Sequence, residues 1–306
     1  MRYYFIILLT ISLLQSCDRS KKPAVNPKIE TARNGTFKIT ADESFKPLID
    51  SQLSVFLNEY PNIKVVVDYK PEAECFKAFD TDSATRLIIT TRNLSAEELA
   101  YYKQKFTVGI LSEKVANDAI AVILNPTARD SMFTKEDLKQ ILLGTSKYKY
   151  NPVFDGTKET SNLRYMLDSV LRQTDLPKGI TGQAGTKAVI NYVARNPNAI
   201  GFVGVSWIGN DQDAEQLSFM RKVKVAALRC TNCANEVFKK PYQANIATKQ
   251  YPLVRGLYYI VKNDYGGVAT NFAKWMEQER GQLIFKTSYI VPTKMNVFVQ
   301  ITDVEQ

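Results

Sequence analysis

From Thr36 to Glu98 the chain alternates short apolar runs with stretches of helical period, and that alternation narrows the folds open to it. Phe37 and Ile39 alternate with polar residues as a strand, and Ala41-Asp42-Glu43-Ser44 turns the chain into a helix running to about Tyr60. Ile63 to Tyr69 is the next strand and Glu72 to Phe79 the next helix. Leu87 to Thr90 reads as a buried strand, after which Ser95-Ala96-Glu97-Glu98 forms a capping box for another helix. Strands alternating with helices imply an α/β fold with a largely parallel sheet, whose ligand crevice lies outside the strand C-termini. Three turns therefore face that crevice: Asp42-Glu43-Ser44, Lys70-Pro71-Glu72 and Thr91-Arg92-Asn93. Each turn also reads as a helix cap, and a hydroxyl at Ser44 can hardly cap and bind at full strength together.

A second candidate lies in the stretch from Val153 to Met166. It reads as a strand, a polar turn, and a helix opening at Thr160 or Ser161, with Leu163, Met166, Leu167, Val170 and Leu171 in apolar period. A helix start carries unpaired N–H groups and the positive end of the dipole, so it favours an anion. Ser161 and Asn162 sit at that start, and Arg164 offers a planar fork in the first turn. An ordinary capped helix with a surface arginine would look the same.

Other chemistries are narrowed by what the chain lacks. There is no histidine, which excludes serine–histidine hydrolysis and histidine-based metal catalysis. Catalysis by carboxylates alone stays open, although no Asp/Glu grouping has convincing spacing for a metal or a nucleophile. The net charge of +9 raises nucleic acid as a partner, but the lysines are scattered among carboxylates and no nucleic-acid motif occurs. A general pull on small anions fits the charge equally well. Gly182-Gln183-Ala184-Gly185-Thr186-Lys187 lacks P-loop spacing and reads as the start of a helix through Tyr192. Cys230-Thr231-Asn232-Cys233 lacks the further ligands of a zinc site and reads as a local disulfide, with Cys75 a buried free thiol.

The ends of the chain speak to location. Arg2 followed by an apolar run from Tyr3 to Leu14 is an export segment, too short to span a membrane. Leu14-Gln15-Ser16-Cys17 resembles a bacterial lipoprotein cleavage box, which implies a signal peptide over 1–16 and a lipid on Cys17. Residues 17–34, with Pro23 and Pro27 among lysines, read as a tether.

The hydroxyl-rich turn at Thr160-Ser161-Asn162 with Arg164 resembles that of the phosphate-binding proteins serving ABC transporters. The resemblance runs from about Gly35 to Ile301. It is carried further by Asp118 to Asn125, by Phe133 to Gly144, by Asn196-Pro197-Asn198-Ala199-Ile200-Gly201-Phe202, and by Tyr251-Pro252-Leu253-Val254-Arg255. It implies a two-lobed periplasmic binding protein-like fold with two crossover segments: 35–121 with 246–306 as the first lobe, 122–245 as the second. It further implies capture of inorganic phosphate in the cell envelope by hinge closure and delivery to a permease, by a monomer without cofactor or metal. The implied contacts are Ser44, the Phe45 N–H and Arg92 from one lobe, with Ser161, Asn162 and Arg164 from the other. The family's acidic residue after the third strand is replaced by Thr91-Arg92, and its small-residue turn after the second strand by Lys70 to Glu74. Glu72 is the nearest substitute for the missing proton acceptor, with Glu43 and Asp42 next in line. Another tetrahedral oxyanion, a carboxylate-based phosphohydrolase and a structural lipoprotein are the alternatives. The chain from Tyr242 to Tyr259 reads as strand-rich, followed by a helix from Val268 to Glu279 and strand-like segments to Ile301.

Overall fold

The computed structural model describes residues 31–158, 160–263 and 266–295; Cys17, the 1–16 signal segment and the 17–30 part of the tether lie outside the described residues. The first half follows the alternation read from the sequence. Strand β1 (Gly35–Asp42) leads through a short turn of 3-10 helix into α1 (Lys46–Glu59). Then come β2 (Ile63–Lys70), α2 (Glu72–Thr81), β3 (Thr85–Thr90), α3 (Ala96–Lys105) and the sixteen-residue β4 (Gly109–Leu124). The second half continues with α4 (Lys135–Leu143), β5 (Asn151–Phe154), α5 (Ser161–Met166), β6 (Thr181–Gly182), α6 (Thr186–Arg195), β7 (Ala199–Gly204) and α7 (Ala214–Met220). It ends with α8 (Gln243–Ala247), β8 (Val254–Asn263), α9 (Val268–Glu277) and α10 (Glu279–Thr287).

The strands lie in the order β2-β1-β3-β8-β4-β7-β5-β6. β1 pairs in parallel with β2 and β3, and β5 in parallel with β6 and β7. Between these parallel groups stand β8 and β4, mutually antiparallel from Val254↔Ala119 to Asn263↔Gly109. Beyond Ala119, β4 leaves β8 and pairs with β7, from Ile120↔Gly204 to Leu124↔Ile200. One strand therefore passes from one lobe to the other. Each lobe has its own core: Phe37, Ile39, Phe56, Phe272 and Trp275 in the first, Ile123, Phe154, Phe202 and Trp207 in the second. Ile246, Tyr251 and Leu253 pack into the second core just before β8 crosses back.

Two readings of the C-terminal region are corrected. Gln243–Ala247 is a helix rather than part of a strand-rich run, with Ile246 as its buried residue. After α9 the chain does not turn at once to strand: Gln278 is extended and α10 follows, strand returns only at Val291–Pro292, and 296–301 lie outside the described residues. The helices pack closely where Gly281 meets α9, since a Cβ there would lie 2.5 Å from the Trp275 carbonyl oxygen. Among the described residues after α10, Val291–Pro292 pairs with β4. Cys230 and Cys233 form a disulfide, and Cys75 is a buried free thiol.

Candidate functional site

The turn after β1 settles the competition at Ser44. Asp42, not Ser44, does the capping: its Oδ1 accepts the Ser44 N–H at 2.8 Å. The Ser44 hydroxyl is thereby free to face the second lobe. Across the crevice Thr160 caps α5 by accepting from the Leu163 N–H, which likewise releases Ser161 and Asn162. Ser44, Ser161 and Asn162 are all fully buried, and the Ser44 and Ser161 hydroxyl oxygens are 3.4 Å apart.

The group that joins them is Arg255, the second residue of β8. Its Nη2 donates to Ser44 Oγ at 3.1 Å, and its Nη1 to Ser161 Oγ at 3.1 Å and Asn162 Oδ1 at 2.8 Å. Nε donates to Asp118 Oδ2 at 2.9 Å. Asp118 stands directly opposite on β4, so the arginine is held by the crossover pair itself. The Phe45 ring lies 5.2 Å from the guanidinium carbon as a cation–π partner. Each serine hydroxyl accepts from Arg255; one of the two donates to the other across their 3.4 Å contact, and the other keeps its O–H to donate. Two hydroxyls from opposite lobes and a buried arginine thus converge on one point. The Asn162 amide donates in turn to Asp155 Oδ2 at 2.7 Å.

Carboxylates ring this cluster. Burial, reinforced by the charge of Glu72, pushes Asp42 up to about 7 despite Arg255. Burial also lifts Asp155 to about 6, against the hydrogen-bonding pull of Thr160. Asp42 Oδ2 is buried without a hydrogen-bond partner among the described residues. Glu72 is different. Burial would raise it, but the Arg164 charge and hydrogen bond and the Thr91 donors prevail and hold it low.

Three of the expected contacts lie outside the central cluster. Glu72 Oε1 accepts from the Thr91 N–H and hydroxyl, and Oε2 from Arg164 Nε at 2.6 Å. Arg164 directs its other nitrogens to Asp168 and Thr91. Arg92 is committed to Glu98 through a bidentate pair and stacks 3.8 Å over the Phe76 ring. A cavity of about 470 Å³ opens on the outer side of Glu72 and Arg164, walled by Phe76, Leu163, Leu167 and Leu176. The glycine-flanked loop at Thr186 meets the other lobe: the threonine hydroxyl donates to Glu43 Oε2 at 2.7 Å.

Arg255 is not among the expected contacts, because a strand arginine in a family phrase reads as fold, not site. The available signal was charge in the wrong place. Asp118 opens an apolar run and Arg255 stands between Val254 and Leu257 in another, and two opposite charges in buried strands call for each other.

Among the described residues no group of three or more His, Cys, Asp or Glu is placed to hold a metal ion. No helix among them is long and apolar enough to cross a membrane.

Comparison with known proteins matches this architecture. The chain is 23% identical over 295 residues to the phosphate-binding protein PstS of Bacillus subtilis, covering 92% of this chain and 88% of that one. An ABC-type phosphate transport receptor from Vibrio cholerae superposes with a TM-score of 0.61 at 15% identity, over 84% of this chain and 100% of that one. A Clostridium perfringens structure with bound phosphate gives 0.66 at 17% identity, over 85% and 100%. At such identities the structures speak for the fold alone. A family model described as the PBP superfamily domain matches residues 26–280, and with that span the chain belongs to the PBP superfamily.

Proposed function

We propose that this protein captures inorganic phosphate on the outer side of the cytoplasmic membrane and hands it to an ABC transporter permease. The observation that carries the reading is the reach of Arg255 from the crossover strand to hydroxyls of both lobes. An anion held there touches both lobes and the hinge at once, so it binds the closed arrangement better than the open one and shifts the population toward it. The lobes in this mechanism are 35–121 with 254–295, and 122–253, because Ile246, Tyr251 and Leu253 pack into the second core before the chain crosses back. Ser44, Ser161, Asn162 and Arg255 are the contacts, the anion taking over the Arg255 donors that Ser44, Ser161 and Asn162 hold without it; Phe45 backs the arginine. Asp42 supplies what distinguishes phosphate: the anion still carries a proton, and Asp42, whose own proton leaves only around pH 7, then offers Oδ2 as a buried acceptor for it.

The names of the relatives support the assignment, since the Bacillus subtilis and Vibrio cholerae proteins are described as phosphate binders or receptors. The function is binding without turnover. A lipid on Cys17 anchors a monomer to the envelope. Calorimetric titration of the soluble domain with phosphate, sulfate and molybdate tests the assignment. Saturable phosphate binding with weak sulfate binding is expected. Preference for molybdate, or hydrolysis of a phosphate ester, would replace it.

A further inference from the structure

On either side of the Arg255 cluster, a carboxylate of the first lobe is received by the second. On one side Glu72, buried at the start of α2, takes Arg164 Nε at 2.6 Å. The contact closes into a ring, because Thr91 donates to Glu72 while its hydroxyl oxygen accepts from Arg164 Nη2 at 2.8 Å. On the other side Glu43 takes the Thr186 hydroxyl at 2.7 Å and the Thr186 N–H at 3.3 Å. That N–H opens α6, which has no side-chain cap of its own; Glu43 caps it from the other lobe. Gly185 makes the approach possible: its φ of +86° suits glycine, and a Cβ there would come within 3.3 Å of Glu43 Oε1. Behind the cluster, the Ser206 hydroxyl donates to the Ser44 carbonyl at 2.6 Å.

We infer that Glu72–Arg164 and Glu43–Thr186 are a pair of latches that position the lobes, so that the closed arrangement is populated before any anion binds. In each latch the partners belong to different lobes: opening would take Arg164 from the buried Glu72, which keeps its Thr91 donors, and would take the Thr186 donors from the half-buried Glu43. Glu72 has both oxygens occupied by protein, which leaves it to hold the lobes rather than the anion. The latches also place the Ser44 and Ser161 hydroxyls 3.4 Å apart, within reach of one tetrahedral ion. An anion arriving at such a protein has less closing left to drive, and the apparent dissociation constant scales inversely with the closed fraction.

The effect on affinity rests on the phosphate reading; the effect on shape does not. The experiment uses spin labels on cysteines introduced at the exposed Lys77 and Lys178, one in each lobe. Cys75 is buried and Cys230–Cys233 oxidised, so in the soluble domain without Cys17 the two new thiols label selectively. Inter-lobe distances are measured with and without phosphate in the parent protein and in Glu72→Ala, Thr186→Ala and Thr186→Ser. The parent should hold a short-distance population without phosphate. Glu72→Ala and Thr186→Ala should lose it, with apparent phosphate affinity down by about 5- to 150-fold. Saturating phosphate should restore the short distance, and Thr186→Ser, which keeps the hydroxyl, should resemble the parent. A ligand-free parent found only in the long-distance state, or the same ligand-free distribution in parent and alanine variants, overturns the latches. If the variants open but phosphate moves none of the proteins, the latches stand and the phosphate assignment falls.

Discussion

Arg255 and Asp118 face each other across the two antiparallel strands that join the lobes, with Nε and Nη2 each 2.9 Å from Oδ2. The pair is buried and sits at the crossover, so the cation at the centre of the cluster is fixed by the hinge. Arg255→Lys keeps the charge but gives up the fork to Ser44, Ser161 and Asn162. It should weaken phosphate binding by about 2–4 kcal/mol in calorimetry. Arg255→Ala leaves Asp118 charged and unpaired inside, and should cost about 3–5 kcal/mol of stability. Adding Asp118→Asn should recover most of that loss in urea unfolding without recovering binding. Equal stability of the single and double variants would show that the pair is not coupled.

Asp42 gives a pH signature. Its carboxyl is pushed by burial and by the charge of Glu72 to about 7, above its ordinary value of 3.8. Between those pH values the folded protein holds a proton that the unfolded chain has released. Stability from this group is therefore present at low pH and is lost as pH rises through about 7. Asp42→Asn removes the titration and should make the phosphate-free protein more stable than the parent above that pH. The gain should be a few kcal/mol, since each tenfold difference in proton affinity between the folded and unfolded chain is worth about 1.4 kcal/mol. Urea unfolding between pH 5 and pH 8 checks it. Parallel pH profiles would mean that Asp42 titrates like an exposed carboxyl.

The fold was legible because its signals are local. The Ser95 capping box reports geometry fixed within a few residues and stands in the structure, where a left-handed Gly144 ends α4 by the same kind of local signal. The alternation of β1 to α3 is equally local. The C-terminal helices were harder. α8 is five residues long, and α10 follows one extended residue after α9, so neither gives a long periodic window. Of the proposed contacts, Ser44, Ser161 and Asn162 can be read from the sequence because each stands at a helix start. Arg255 could not, because its role depends on Asp118, 137 residues away and brought opposite only by pairing of β4 with β8. Arg164 and Arg92 read as anion contacts for the converse reason. An arginine at a helix start or crevice turn invites an anion, and only tertiary structure reveals Glu72 and Glu98 already there.

The N-terminal prediction stands on sequence alone. If Cys17 carries a lipid, Cys17→Ala should abolish labelling with a radioactive fatty acid and move the protein from the membrane to the soluble fraction. Unchanged membrane retention in the variant would point to a different anchor.

The choice between phosphate and sulfate separates two carboxylates that the sequence offers alike. Sulfate brings no proton near neutral pH, so a buried carboxylate facing it meets only lone pairs and negative charge, and the mismatch is costly. The chain gives Glu72 where the acceptor would be sought. Glu72, however, has Oε1 on Thr91 and Oε2 on Arg164, and its charge is held by that cation. Asp42 has Oδ1 on the Ser44 N–H and Oδ2 without a partner among the described residues. Asp42→Asn retains the cap through its amide oxygen but offers sulfate a donor in place of a charge. It should lower phosphate affinity and raise the relative affinity for sulfate, moving the ratio by about 10- to 150-fold, the value of one charge-assisted hydrogen bond. Glu72→Gln should weaken both anions together by loosening the lobes, and leave the ratio where it was. Parallel titrations of the two variants with both anions decide the matter. If Glu72→Gln moves the ratio and Asp42→Asn does not, Glu72 accepts the proton and its bond to Arg164 must open when phosphate enters.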